Sequence, residues 1–508
     1  MANADMDPDS DSDSYLDTGT DAPPPVDRRS ATWSSLVRAA NDHERPAVRF
    51  GEQTWSGREL LDRAGGAAHW LDSLGLEPHV PVPALVSVSP EALALVVGGA
   101  GSTHPLAPLG VRMTAHEVAA AVSALGTGVL VAAPEHAALG SEVAQLAGCR
   151  LALVPDSTKF AEFPEPQREL TAAPDDVAVV LHTSGTTGAP KAVPMPQWRL
   201  AARAHVNGAL CELDPDSFYG ASAPFHHIAG LGNLAVALAR GACVTGIPRF
   251  TVAGWGLLRQ LGVTHTSMVP SMLEMLLAAG EAAQPRLRVL QYGGAPIRPE
   301  ALRATYRALP GVRMLNMFGQ TEGSPISVLA PEDHRAAVRD RPGLLLSVGR
   351  AAPGVDLRVT DPDRDGVGEI LARADHFFRI DAEGWLHSGD LGRIAEDGYV
   401  YLAGRRGDMI IRGGENVHPL EVETVIAEHP QVAEAAVVGV PDQRLGQTVA
   451  AYVVVADRAA PPLPEELRSF ARARLSGFKV PAEWHFVAEL PRNANGKLLR
   501  NRLAAQLP

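Results

Sequence analysis

VAVVLHTSGTTGAPK (Val177–Lys191) decides the reading of this chain. Val177 to Leu181 is a short β-favouring apolar run that enters a Ser/Gly/Thr loop, which predicts a buried strand delivering a loop at its end. The loop TSGTTGAPK presents two glycines, several hydroxyls and a terminal ammonium. A polyphosphate needs such groups: backbone N–H groups that can approach closely, hydroxyl donors and one cation. Thr183, Ser184, Gly185, Thr186, Thr187 and Lys191 are the candidate ligands. The pattern G-x-x-x-x-G-K-[ST] is not met, because Ala189-Pro190 separates Gly188 from Lys191 and Ala192 follows. An ordinary phosphate-loop kinase is thereby rejected.

Two more strands end in loops of the same character. LRVLQY (Leu287–Tyr292) runs into Gly293-Gly294-Ala295-Pro296, after which Pro299-Glu300 open a helix, with Pro where a first turn tolerates it. VRMLNM (Val312–Met317) ends near another glycine. Three strands delivering three loops is the way open α/β sheets build sites at strand ends. Past Gly404 a basic, Gly-rich connector, Arg405-Arg406-Gly407-Asp408, leads into a compact pattern of strands and helices. There Leu467, Phe470, Ala471 and Leu475 share a helical face, and AAYVVVA and WHFVAEL supply strands. The expected organisation is an acidic disordered tail over 1–30, a large α/β domain of packed sheets and helices over 31–404, and a smaller α+β domain over 405–508.

Composition narrows the function. The net charge is −13, and the Asp-Ser-Pro tail holds −6 of it, a poor match to a nucleic acid. No apolar run is long enough to span a bilayer and the first residues lack a signal region, so a cytoplasmic location is expected. Cys149, Cys211 and Cys243 are odd in number and lack C-x-x-C spacing, which argues against a disulfide framework or a zinc site. Only four of the 45 basic residues are lysine: Lys159, Lys191, Lys479 and Lys497. A composition that favours arginine this strongly marks the surviving lysines as positions to explain.

With these segments in place the chain resembles a known family, the adenylate-forming acyl-CoA synthetases, luciferases and nonribosomal-peptide adenylation domains. The resemblance covers nearly everything after the tail. TSGTTGAPK resembles the family's phosphate loop, PFHHIAG its gating motif, YGGAP its adenine-side loop and NMFGQTEG its magnesium and phosphate motif; WLHSGDLG, GRRGDMIIRGGENVHPLEVE and PRNANGKLLR follow in the family's order. The resemblance implies ATP and Mg2+ as cofactors. It implies Glu322 as magnesium ligand, Thr321 as a donor to the phosphoryl group, and Asn316, Phe318 and Gly319 beside the nucleotide, with Phe318 in the place usually held by tyrosine. Gly293, Gly294 and Ala295 would let the backbone approach the base. Asp390 would accept from the ribose hydroxyls and Arg405 would reach the same nucleotide.

Lys497 then has a role by the same resemblance: a compact ammonium that meets the substrate carboxylate and the nucleotide's bridging oxygens, where a planar guanidinium would serve poorly. The family also turns its small domain after adenylation. Gly407 stands at the hinge position, normally Asp or Lys, and Gly413 and Gly414 lie in the loop that would face the thiol. Lys479, in GFKVP, matches a family position as well.

By the same mapping the acid pocket is lined by His226, His227, Leu231, Gly293, Met317 and Pro325, with His227 also counted among the catalytic residues. No acidic residue in PFHHIAG could hold an α-ammonium, which disfavours an α-amino acid and suits a neutral aryl or medium-chain acid. The expected reaction is ATP-dependent activation of a carboxylic acid and transfer to a thiol, with CoA or a carrier protein as partner. Ala192, Gln197 and the segment GEILARADHFFRID depart from the family pattern and leave open a nitrogen nucleophile. A luciferase-like oxygenase would still begin with adenylation. A homologue that binds adenylates without turnover is the other class of answer, and it would need no catalytic ammonium.

Overall fold

The computed structural model describes residues 31–162, 172–183, 191–492 and 498–504. The acidic tail, Ser184 to Pro190 of the phosphate loop and Lys497 lie outside them.

Helices and strands alternate through the first half of the chain, and the strands gather into two large sheets. One runs Arg150–Leu153, Val129–Ala132, Val82–Leu85, Leu106–Pro108, Val177–Thr183, Lys191–Pro196, parallel throughout except for the last, antiparallel pair. The other has nine strands, with a parallel centre of Val289–Gly293, His265–Met268, Phe218–Ala221 and Cys243–Gly246 beside Pro46–Phe50, and antiparallel pairs toward both edges. Helix Pro90–Ala100 explains how the two sheets meet. Ser89 caps its first turn, and all its residues but Glu91 are buried, as an all-apolar helix requires. It packs on Val177–Thr183 of one sheet and Pro46–Phe50 of the other, within one apolar core drawn from both sheets.

A four-stranded antiparallel sheet follows, Asp356–Thr360, Gly368–Arg373, Leu386–Ile394, Val400–Arg405. The C-terminal part has its own sheet, in which Gly446–Val455 pairs with Val432–Asp442, Ile410–Arg412 and Glu483–Phe486, and its own core around Ile410, Val422, Val437 and Leu467. The architecture is α/β with a large N-terminal and a smaller C-terminal domain.

The expected strands are present with shifted ends. Leu287–Tyr292 becomes Val289–Gly293, and Val312–Met317 becomes Arg313–Gln320, which continues past the glycine expected to stop it. The helix expected from Pro299 spans Pro299–Ala308. In helix Pro464–Arg472, Leu467 and Ala471 are buried, while Leu475 follows the helix and packs on the same core. Among the described residues no helix is long and apolar enough to cross a membrane.

Candidate active site

Strand Val177–Thr183 pairs antiparallel with Lys191–Pro196 so that Thr183 stands opposite Lys191. The two ends of TSGTTGAPK are thus held side by side at one sheet margin, with Lys191 exposed. Ala192 sits in the same strand opposite His182.

Gly293 ends its strand opposite Met317. A side chain there would collide with the Met317 carbonyl, so only glycine lets the two strands run this close. Gly294 follows with a φ of 81°, a left-handed conformation that glycine adopts freely. Asn316, opposite Tyr292, is buried, and Phe318 and Gly319 are half-buried further along the same strand.

Thr321 and Glu322 form the two-residue turn between Arg313–Gln320 and Gly323–Leu329, with Gln320 paired to Gly323. Thr321 is buried and Glu322 half-buried. The turn is braced from below by the segment that departs from the family pattern. Phe378 N and Arg379 N donate to the Glu322 carbonyl at 2.7 and 3.3 Å, His376 Nε2 donates to the Pro325 carbonyl at 2.9 Å, and a Cβ at Gly323 would lie 2.6 Å from Phe377 and Leu386.

Asp390 lies in a strand, opposite Arg405 across the antiparallel pair Leu386–Ile394 and Val400–Arg405. Arg405 Nε donates to Asp390 Oδ1 at 2.9 Å. The place of Asp390 within a strand excludes a helix-capping role. Glu369 secures the same corner: it accepts from Gly389 N at 3.1 Å and from Arg406 Nη1 at 3.0 Å. Gln320 Nε2 reaches the His387 carbonyl at 3.5 Å, so the Thr321–Glu322 hairpin and the Asp390 strand meet.

His226 and His227 precede a π-helical turn, Ile228–Gly232, with ring centroids 4.3 Å apart. Burial, helped by the nearby His227, Arg112 and His182, pushes His226 down to about 3, so its ring is neutral at physiological pH. Burial likewise pushes His182 to about 4. Leu231 and Met317 are buried in the main core, and Pro325 is buried in the strand after the Glu322 turn. The loop at Gly110 and Met113 presses against His226: a Cβ on Gly110 would come 3.0 Å from its Nε2.

Gly407 lies in the 3-10 turn Arg406–Asp408 that leads to strand Ile410–Arg412, and a Cβ there would have no atom within 4 Å. Gly413 and Gly414, at φ of 60° and 89°, are the two-residue turn between Ile410–Arg412 and Glu415–Val417. The residues on either side of 493–497 are held in place, although Lys497 itself lies outside the described residues. Arg492 pairs with Leu498 as an isolated bridge and with Glu434 at 2.8 Å. The carbonyl of the adjacent Ala433 accepts from Arg298, just past the Gly293–Ala295 loop, at 3.1 Å. Downstream, Arg500 binds Glu423 at 2.7 Å and Asp408 at 3.2 Å.

Sequence reasoning did not find Arg203, Glu369 or His376, whose partners are distant in the chain. Gln197 has no exposed surface; it accepts from Ser34 N at 3.0 Å and donates to the Ala100 carbonyl at 2.6 Å, so it ties helices together. Lys479, without a role before, makes a two-oxygen contact with Glu421 at 2.7 and 2.9 Å.

Comparison with known proteins matches this arrangement. Residues 36–380 fit the model of the AMP-binding enzyme family and residues 421–497 that of the AMP-binding enzyme C-terminal domain. The chain is 31% identical over 500 residues to the fatty acid–[acyl-carrier-protein] ligase ScoC of Streptomyces coeruleorubidus, covering 92% of this chain and 95% of that one. It is 32% identical to a feruloyl-CoA synthase of an Amycolatopsis species, with 92% and 96% covered. The solved structure of the amide bond synthetase McbA from Marinactinospora thermotolerans superimposes with a TM-score of 0.83 at 28% identity, covering 93% of this chain and 98% of that one. The chain belongs to the AMP-binding enzyme family, the adenylate-forming ligases.

Proposed function

We propose that this AMP-forming acid–thiol ligase takes a neutral aryl or medium-chain carboxylic acid and passes it to CoA. The observation that supports it most directly is the meeting of the Thr321–Glu322 turn with the Asp390–Arg405 pair, which offers phosphate and ribose contacts on one front. A carboxylate is a poor electrophile because its charge repels nucleophiles and oxide cannot leave. Attack on the α-phosphate of ATP exchanges oxide for AMP, and the negative charge that builds up must be met by fixed donors.

In this reading Thr183 to Lys191 hold the phosphates, Gly293 to Ala295 with Phe318 hold the base, and Asp390 and Arg405 hold the ribose. Thr321 donates to the phosphoryl oxygens, and Lys497 brings an ammonium to the reacting carboxylate. Glu322 fits magnesium. It is a lone, half-buried carboxylate at a turn, and among the described residues no group of three or more His, Cys, Asp or Glu forms a cage. That suits an ion which takes one or two protein carboxylates and completes its shell with phosphate oxygens and water. Bound there, magnesium supplies charge neutralisation.

The neutral His226 ring and the buried Leu231 and Met317 favour an uncharged acyl group, in keeping with the feruloyl-CoA synthase and fatty-acid ligase likenesses. We read 405 as the start of the small domain and Gly407 as the joint about which it turns to bring Gly413 and Gly414 to the thiol. A second reading, transfer to an amine, draws on the likeness to McbA.

Pyrophosphate release measured over benzoate, cinnamate, hexanoate and octanoate, with and without CoA, tests the proposal. Thioester formation with one of them is the expected result. Release that ignores CoA but accelerates with a small amine favours the second reading, and no release with any acid overturns adenylation.

A further inference from the structure

Arg203 lies on helix Gln197–Leu210, is 1% exposed, and reaches three carbonyl groups with one guanidinium. Its Nε donates to the Ser324 carbonyl at 3.1 Å, Nη1 to the Gly232 carbonyl at 2.5 Å, and Nη2 to Asn233 Oδ1 at 2.7 Å. Each contact falls on an element of the site. Ser324 is two residues beyond Glu322, Gly232 closes the turn that follows the paired histidines, and the helix itself begins where the strand of Lys191 ends. Asn233 extends the grip: its Oδ1 also accepts from Asn207 at 3.2 Å, and its Nδ2 donates to the Ala229 carbonyl at 3.2 Å.

The charge on Arg203 is unbalanced. Among the described residues it pairs with no carboxylate. The ionisable groups that act on it are Cys211 and Tyr219, both kept neutral because burial raises them. Burial lowers Arg203 itself to about 10, which leaves it protonated at neutral pH. An apolar side chain of similar size would commonly fill such a space at less cost, so stability alone is a weak reason for an arginine here. Geometry supplies a better one. The planar fork sets its donors on three separate nitrogens, each meeting one acceptor, whereas an ammonium's three donors all share a single nitrogen and cannot span the same three positions.

We propose that Arg203 is a positioning residue for adenylation: it fixes the turn at Ile228–Gly232 and the Thr321–Glu322 hairpin to one helix, and so sets how the acid's carboxylate meets the α-phosphate. The inference rests on the adenylation reading above.

The test uses the full chain and the best-used acid among benzoate, cinnamate, hexanoate and octanoate, varying acid and ATP separately. Arg203→Lys keeps the charge but cannot reach all three carbonyls. It is expected to lower kcat for pyrophosphate release about 10- to 100-fold, as misplacement of reacting groups by about 1 Å does. KM for ATP should stay within about twofold, and transfer from supplied acyl-adenylate to CoA should be unchanged. Wild-type kcat in Arg203→Lys, or equal losses in both half-reactions, overturns the inference.

Should the Arg203 variant fail to fold, Asn233→Ala decides, since of the three Arg203 contacts it removes only the Nη2 one, together with the Asn207 and Ala229 bonds of Asn233 itself. About a 3- to 10-fold fall in kcat with an unmoved KM for ATP supports positioning, and an unaltered kcat refutes it. An inactive wild type overturns the adenylation reading and this inference with it; an active wild type with indifferent variants overturns this inference alone.

Discussion

Arg405 Nε and Asp390 Oδ1 stand 2.9 Å apart because the two residues are directly opposite in an antiparallel strand pair. The backbone register therefore aims a carboxylate and a cation at the same point. Asp390 is largely shielded, with a side chain 10% exposed, whereas Arg405 is 45% exposed. The strand pair thus presents a shielded acceptor beside an exposed cation.

Asp390→Asn should raise KM for ATP by about 10- to 100-fold, the usual worth of hydrogen bonds to a charged group, and leave KM for the acid near wild type. Steady-state pyrophosphate release with each substrate varied in turn checks this. A larger effect on the acid would place Asp390 elsewhere.

Lys497→Ala should slow adenylation by about 10²- to 10³-fold, the loss expected on removing one preorganised donor, without loss of fold. Pyrophosphate exchange near the wild-type rate would remove Lys497 from the mechanism.

Glu322→Gln keeps the size of the side chain at an open turn while removing its charge. A fall in kcat of about 10²-fold is expected, with half-maximal activity moved to higher magnesium concentration. An unchanged magnesium titration would show that Glu322 is no ligand.

Gly323→Ala would set a methyl 2.6 Å from Phe377 and Leu386, the former with no exposed surface. Overpacking of this kind costs about 1–3 kcal/mol. Thermal melting should fall by several degrees, and an unaffected midpoint would show that the hairpin can shift away from its support.

Acid should destabilise the fold through its buried histidines. Burial holds His182, His265 and His376 down at about 4 and His226 at about 3, against 6.5 for the free side chain. Between those values the unfolded chain binds more protons than the folded one. Stability is therefore complete above 6.5 and declines as the pH drops, by on the order of 2 kcal/mol per histidine at pH 5. Melting curves from pH 8 to 5 should show the decline, and His376→Gln should flatten it. Parallel curves for the two proteins would contradict the assignment.

Local features made the strands that frame this candidate site readable from the sequence. A β-rich run before a glycine loop is a short-range signal, and Val177–Thr183 and Val289–Gly293 lie where such runs predict. The hairpin bearing Thr321 and Glu322 was harder to see, because Gly319 reads as a terminator. In the structure it lies within the strand, where a Cβ would come 2.9 Å from the Gly323 carbonyl on the returning strand. Glycine there admits a close partner and does not end the element. Arg203, Glu369 and His376 were illegible for another reason: Arg203 meets Ser324 across 121 residues, and no periodicity records such a contact. The lysines divide in the same way. Lys191 was readable from its loop, whereas Lys479 needed Glu421, 58 residues away, to acquire a partner.

Residue 407 has vacant surroundings and a φ that any amino acid can adopt. As the proposed joint of the small domain, so uncrowded a position can be stiffened or loosened by substitution without repacking anything nearby. The timing of the two half-reactions would then be adjustable at a single position while every group that handles the nucleotide stays as it is.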